Sequence, residues 1–373
     1  MIKFLSSFLI AFIFSFQTFS QEPSPAYLEY MKGLENLIQN ELYGQVSEIL
    51  YDVEKAPSPE SYISFCKEVE EKLTSYYQQY EKNMEESERK SANQFSQAMM
   101  IQLSELYLER AEDITIQERK SFFKEFLNQM GYFETVTDLN EDIARSISMN
   151  LYAVLGIPFG MPNTEVASYI QTESDPAKEF YQAAYLINEM SMLNIGFLEI
   201  EQMISNFKST YPSSIHVSKL ENTLSSLENL KEGALVENFS FIDLEGNSVG
   251  LSEFKDKIIY LDLWASWCGP CINTFRTKTP DFEKKLRDRN DIVLMYISID
   301  EKQEPWKNYL AKNPMSGVHL FAGKGFEADI MKYFKVWGIP RYLIIGKGNR
   351  LFSPNAPRPG DEAIEVLRGI AGL

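Results

Sequence analysis

The chain has 373 residues, 44% of them hydrophobic, and a formal net charge of −17. That acidity excludes binding along a phosphate backbone and docking on anionic lipid, both of which need basic surface. The length implies more than one domain, and with three cysteines and two histidines the chain has little material for a metal cluster or a disulfide framework.

In chain order, the first segment reads as a secretory signal. Lys3 precedes an apolar run from Phe4 to Phe16 that only Ser6, Ser7 and Ser15 interrupt. Thr18-Phe19-Ser20 supplies the small residues of a cleavage site, with cleavage expected before Gln21. The run is shorter than the roughly 20 residues that span a bilayer; an uncleaved membrane anchor is the alternative. No cysteine lies near the cleavage site to accept a lipid, and no later segment is apolar enough to span a membrane.

Residues 21–231 read as one helix after another. Tyr30, Leu34, Leu37 and Ile38 form one apolar stripe, and Met99, Leu103, Leu106 and Tyr107 another, both at helical spacing. Ser174-Asp175-Pro176 is a helix-start signal. Pro57 and Pro59, and the stretch from Gly156 to Pro162, predict loops. A helical solenoid stays open as an alternative, although no fixed-period repeat is visible. Cys66 falls beside Tyr62 and Phe65 at helical spacing and reads as a small buried apolar residue; a regulatory or intermolecular thiol is the other reading. Paired acids such as Glu70-Glu71 and Glu85-Glu86 read as solvated helix faces. The whole formal charge lies in this part: residues 1–231 hold 17 basic against 34 acidic side chains, and residues 232–373 hold 19 of each.

The texture changes near Lys231-Glu232-Gly233. Residues 239–251 predict a hairpin around Gly246-Asn247. A strand (258–264), a helix from Cys268 to about Asp288 and a strand (292–299) form a βαβ unit, which implies a parallel pair. A helix (303–312), a short apolar segment (318–321), a helix ending near Phe334, an antiparallel pair (341–345 with 350–352) and a final helix from about Asp361 complete the chain.

The βαβ unit holds the most specific motif, Trp267-Cys268-Gly269-Pro270-Cys271. It places a thiol where a helix begins, and there unpaired N–H groups and the helix dipole stabilise a thiolate. A thiolate attacks disulfides, and a second cysteine three residues on can resolve the mixed disulfide. The motif therefore predicts thiol–disulfide exchange, with Cys268 attacking and Cys271 resolving. A zinc reading needs more ligands than His216, His319 and Cys66 supply; no metal and no cofactor is expected. Asp262, on a strand otherwise apolar, is costly to bury without a role or a partner.

With these motifs, residues 233–373 resemble the thioredoxin-fold domains of the TlpA/ResA type, exported thioredoxins of bacteria. The resemblance is carried by Gly246 to Leu251, Asp262 to Cys271, Ser298-Ile299-Asp300 and Gly338-Ile339-Pro340. The stretch from Asn206 to Leu230, with Tyr211-Pro212-Ser213-Ser214, resembles the lead-in of TlpA-like proteins of the Bacteroidetes. The resemblance implies a thioredoxin-like α/β/α domain with a mixed sheet (232–373) behind an all-helical domain (21–231). It implies that Asp262 moves a proton to or from Cys271, an ion-paired structural Asp being the alternative. It implies a cis peptide bond before Pro340 that exposes Ile339 for pairing with a client, an ordinary trans proline being the alternative. Trp267, Gly269 and Pro270 then join Ile339 and Pro340 as client contacts, whereas Trp264 reads as core. Two departures stand out. Thr274 occupies the position where many relatives carry a Glu, and Arg276 replaces a helix-kinking proline, which predicts that the bend moves toward Pro280 or that the helix lengthens. The function implied is a periplasmic reductase of exported clients, served by an electron donor in the inner membrane. A disulfide oxidase or isomerase, and a binding module that uses this domain for recognition, are the rival readings.

Overall fold

The computed structural model describes residues 22–51, 53–111, 113–158, 164–193 and 195–370. The expected signal segment 1–20, and residues 159–162 of the expected loop, lie outside the described residues. The chain divides into two compact units, one of residues up to 189 with 202–221, the other of 190–201 with 222–373. No helix of the described residues is long and apolar enough to cross a membrane.

The first unit is helical. Its elements are α1 (Pro25–Leu37), α2 (Tyr43–Leu50), α3 (Pro59–Tyr77), α4 (Glu86–Arg110), α5 (Ile116–Gln129), α6 (Tyr132–Thr135), α7 (Glu141–Leu155) and α8 (Thr164–Thr172), followed by most of α9 (Ala177–Met192), α10 (Phe197–Thr210) and α11 (Val217–Ser225). Local chemistry sets the starts. Ser24 and Ser58 accept from backbone N–H groups of α1 and α3, and Thr115 and Glu118 close a reciprocal box on α5. Pro59 is thus the first residue of α3 rather than part of a loop, because proline suits a helix position whose N–H has no partner. Tyr30, Leu34 and Ile38 are buried as the stripe predicts. Around Tyr62 the core is aromatic: its ring stacks on Tyr107 at 4.9 Å, and Tyr107 meets Phe122 at 4.2 Å. Cys66, one turn beyond Tyr62, is fully buried, and burial pushes its thiol pKa up. Asn150 of α7 donates to Ile101 O and accepts from Ser104 Oγ of α4, at 2.9 and 2.8 Å, so these buried polar groups are satisfied together. Arg119 donates to Leu108 O, Ala111 O and Ala153 O at 2.8, 2.9 and 3.1 Å, a cation serving carbonyls at the ends of α4 and α7.

The second unit carries a seven-stranded mixed sheet: β1 (Ser240–Ile242), β2 (Ser248–Gly250), β3 (Ile258–Trp264), β4 (Ile292–Ser298), β5 (Val318–Phe321), β6 (Arg341–Gly346) and β7 (Arg350–Ser353), in the order β2-β1-β5-β4-β3-β6-β7. β3, β4 and β5 run parallel; β6 pairs antiparallel with β3 and β7, and β1 pairs antiparallel with β2 and β5. The predicted hairpin closes where Asn247 N–H donates to Asp243 Oδ1 at 2.7 Å and Gly246 takes a φ of +93°. β3 lies inside the sheet and all seven of its residues are buried, which is why its sequence is an almost unbroken apolar run.

The helix expected after Cys268 is two helices, α12 (Gly269–Thr277) and α13 (Thr279–Leu286), joined at Lys278. Pro280 accounts for the break: it cannot donate to the Arg276 carbonyl, and its ring crowds that carbonyl. The bend has moved, as one of the two expectations held. The sheet face that bears Ile258 and Tyr260 packs on Phe282 and Leu286 of α13 and on Ala363, Ile364 and Leu367 of the last helix. The remaining helices are α14 (Gln303–Lys312), α15 (Asp329–Tyr333) and α16 (Asp361–Ile370).

Candidate active site

The site is built at the end of β3. Ala265 accepts from Cys268 N–H at 3.0 Å, which turns the chain from the strand into α12. Cys268 is the N-cap of α12, with Pro270 in its first turn. The Cys271 N–H donates to Cys268 Sγ at 3.2 Å, so one unpaired donor of the helix start is aimed at the sulfur. Cys268 and Cys271 are joined by a disulfide, with Cα atoms 5.3 Å apart. In this disulfide form Cys268 is 3% exposed, and Cys271 is fully buried. Trp267, Gly269 and Pro270, which flank Cys268 in the chain, are all three exposed.

Trp267 is 59% exposed, and its ring lies 6.2 Å from that of Phe326. Trp264 is buried and meets Phe275 of α12 edge-on at 5.0 Å, a core residue as expected. The Ile339–Pro340 peptide bond is cis. Arg341 follows and pairs with Leu263 of β3, so the Gly338–Pro340 loop stands at the same end of the sheet as the Cys268 turn. Trp337, 54% exposed, precedes that loop.

Asp262 is fully buried, with neither carboxyl oxygen hydrogen-bonded to protein. Its neighbours across the sheet are Tyr296 of β4 and Tyr342 of β6. Burial pushes its pKa well above the ordinary carboxylate value, and the charge of Arg358 only partly opposes this. A buried acid that keeps its proton at higher pH can exchange it with a thiol, which a surface aspartate cannot do near neutrality. Thr274 is buried, and its hydroxyl donates to Pro270 O at 3.1 Å, so the position where relatives carry a Glu holds a satisfied neutral group. Arg276 is exposed.

Sequence reasoning assigned no role to a further acid beside the turn. Asp300, 2% exposed just beyond β4, accepts from Ser266 N–H at 2.9 Å, Ser266 Oγ at 2.7 Å and Ser298 Oγ at 2.7 Å. The sign was present in Ser298-Ile299-Asp300, two polar side chains closing an apolar strand. The two histidines belong to different units, and among the described residues no three side chains of metal-binding type come together.

The profile of a thioredoxin-like family matches residues 256–351. A thiol-disulfide oxidoreductase ResA of Bacillus cereus is 39% identical over 142 residues, covering 38% of this chain and 78% of that protein. The protein named probable nucleoredoxin 1 of Arabidopsis thaliana is 32% identical over 103 residues, which are 27% of this chain and only 17% of that one. Among solved structures, the thioredoxin domain of a thiol-disulfide oxidoreductase from Bacteroides vulgatus is 21% identical, covering 38% of this chain and 99% of that one, with a TM-score of 0.34. On the identity and coverage of the Bacillus cereus relative, the chain belongs to the ResA-type thiol-disulfide oxidoreductases of thioredoxin-like fold.

Proposed function

We propose that the protein reduces disulfides of exported client proteins in the periplasm. The observation that carries this reading is the Cys271 N–H aimed at Cys268 Sγ at the start of α12, an environment that favours the thiolate. The Cys268 thiolate attacks a client disulfide, forms a mixed disulfide and releases one client thiolate. Asp262 first gives up its own buried proton to solvent and, as the carboxylate, takes the Cys271 proton. The Cys271 thiolate then attacks Cys268 Sγ, which closes the intramolecular disulfide and expels the second client thiolate. Two electrons pass to the client for each cycle, and a dithiol donor at the inner membrane restores the reduced pair. Trp267, Gly269, Pro270, Ile339 and Pro340 form the surface that the client meets. The N-terminal segment supports export, with the mature chain beginning at Gln21. Residues 21–231 form the helical domain, and residues 232–373 form the redox domain.

The deciding measurement is the reduction potential of the Cys268–Cys271 pair in graded thiol buffers. A value near −270 mV, about the range of thioredoxin, is expected; a value near about −120 mV turns the direction to oxidation. In parallel, Cys271→Ser traps clients as mixed disulfides on Cys268, visible on non-reducing gels, and Cys268→Ser traps none.

A further inference from the structure

We propose that Asp300 is a positioning residue for the redox pair: acting through Ser266, it holds the Cys268 sulfur against the start of α12 and so keeps the thiolate stable. The inference rests on the reading of Cys268 as the attacking thiol.

The geometry is local and closed. Ser266 lies two residues before Cys268, and both its N–H and its hydroxyl donate to Asp300, at 2.9 and 2.7 Å. Ser298 Oγ donates to the same carboxylate at 2.7 Å and accepts from Asp300 N–H at 3.1 Å, so the carboxylate is itself fixed from the end of β4. A second tie runs parallel to it: Ile299 N–H donates to Trp264 O at 2.8 Å. The segment between Trp264 and Cys268 is thus pinned to the end of β4 at Trp264 and at Ser266. What remains free is the stretch that must place Sγ 3.2 Å from the Cys271 N–H. Hydrogen bonds to an ionised group are the strong ones, and a buried carboxylate with three of them does not shift without losing them together. A catalytic turn held this way keeps the donor-to-sulfur geometry on which thiolate stability depends.

The charge of Asp300 acts the other way. A carboxylate near a thiolate disfavours it. A role through position and a role through charge therefore predict opposite signs, which makes the proposal testable.

The experiment uses the reduced full chain. Iodoacetamide alkylation is followed against pH, with the labelled cysteine identified by peptide mass, in the wild type and in Ser266→Ala, Asp300→Ala, Asp300→Asn and Ser266→Ala/Asp300→Ala. Ser266→Ala keeps the charge and removes one tie. It is expected to raise the alkylation midpoint of Cys268 by about half a pH unit, a rate about threefold lower below the midpoint. Asp300→Ala moves the midpoint in the same direction despite the lost charge. The double variant moves it no further than the larger single change, since the two residues act as one unit. A downward shift in Asp300→Ala with Ser266→Ala unchanged assigns Asp300 a charge effect only and overturns the proposal. Midpoints all equal to the wild type, with only a lower melting temperature, also overturn it. If Asp300→Ala does not fold, Asp300→Asn with Ser266→Ala gives the same sign test. A wild-type Cys268 that alkylates no faster than an ordinary thiol defeats the underlying reading of the site instead, and the two failures are told apart by that control.

Discussion

Asp262 is asked to be a proton carrier and a core residue at once, and the two demands can be separated by pH. In the unfolded chain its carboxyl loses its proton near about pH 3.9; in the folded chain burial holds the proton to well above that. Between the two values the native state binds more protons than the unfolded state, so stability falls as pH rises. Asp262→Asn carries no such cost. Its unfolding free energy should match that of the wild type near about pH 4 and exceed it increasingly as pH rises for as long as the folded Asp262 keeps its proton, by at most about 1.4 kcal/mol for each pH unit in that window. The same variant should slow the release of clients from mixed disulfides about a hundredfold at pH 7. A stability difference that stays flat with pH would show that Asp262 is not held neutral. At this scale the sequence was most legible where a residue conflicts with its surroundings, as one acid does in an apolar strand. Asp300 was not read as part of the site because an acid at a strand end conflicts with nothing; its partner Ser266 lies 34 positions away, and only the fold brings them together.

The elements of the second unit were legible nearly to their ends, because period-2 runs, turn residues and the βαβ spacing agree there. β5 was legible as a short apolar segment, β7 as the second strand of the closing antiparallel pair, and α14 spans the expected 303–312. The break between α12 and α13 was legible only as a choice, since a proline marks a disrupted helix without fixing which residue absorbs the bend; Lys278 does, with a φ of −121°. Pro280 lies in the first turn of α13, where its fixed φ suits the helix and no intrahelical N–H is lost. Pro280→Ala should therefore lower stability by about 0.5–1 kcal/mol through the unfolded state, seen as a lower urea midpoint at unchanged slope. The alkylation midpoint of Cys268 should not move, because the first turn of α12 lies on the other side of the break. A shifted midpoint would mean that the bend takes part in tuning the thiol.

At the scale of the whole molecule, the change of composition near residue 231 does not coincide with the compact units, which count 190–201 and 222–231 with the sheet, and composition described the helical unit poorly. Amphipathic stripes place helices but not their partners; the pairing of α4 with α7 depends on Asn150 and Ser104, which no periodicity announces. The formal charge of −17 is likewise a count of residues. Burial, with Glu109 nearby, pushes the Glu105 carboxyl up to about 8, so this group is mostly uncharged at neutral pH. Cys66, in the helical unit, bears on every experiment with the redox unit. It is sealed in an aromatic core, outside the disulfide. It is a spectator that answers to folding, while Cys268 and Cys271 answer to electrons. In the native reduced protein a thiol reagent should react at Cys268 before the fully buried Cys271, with Cys66 reacting only as denaturant opens the helical unit. The chain thereby carries its own internal clock of unfolding, readable with the reagent that reports its redox state.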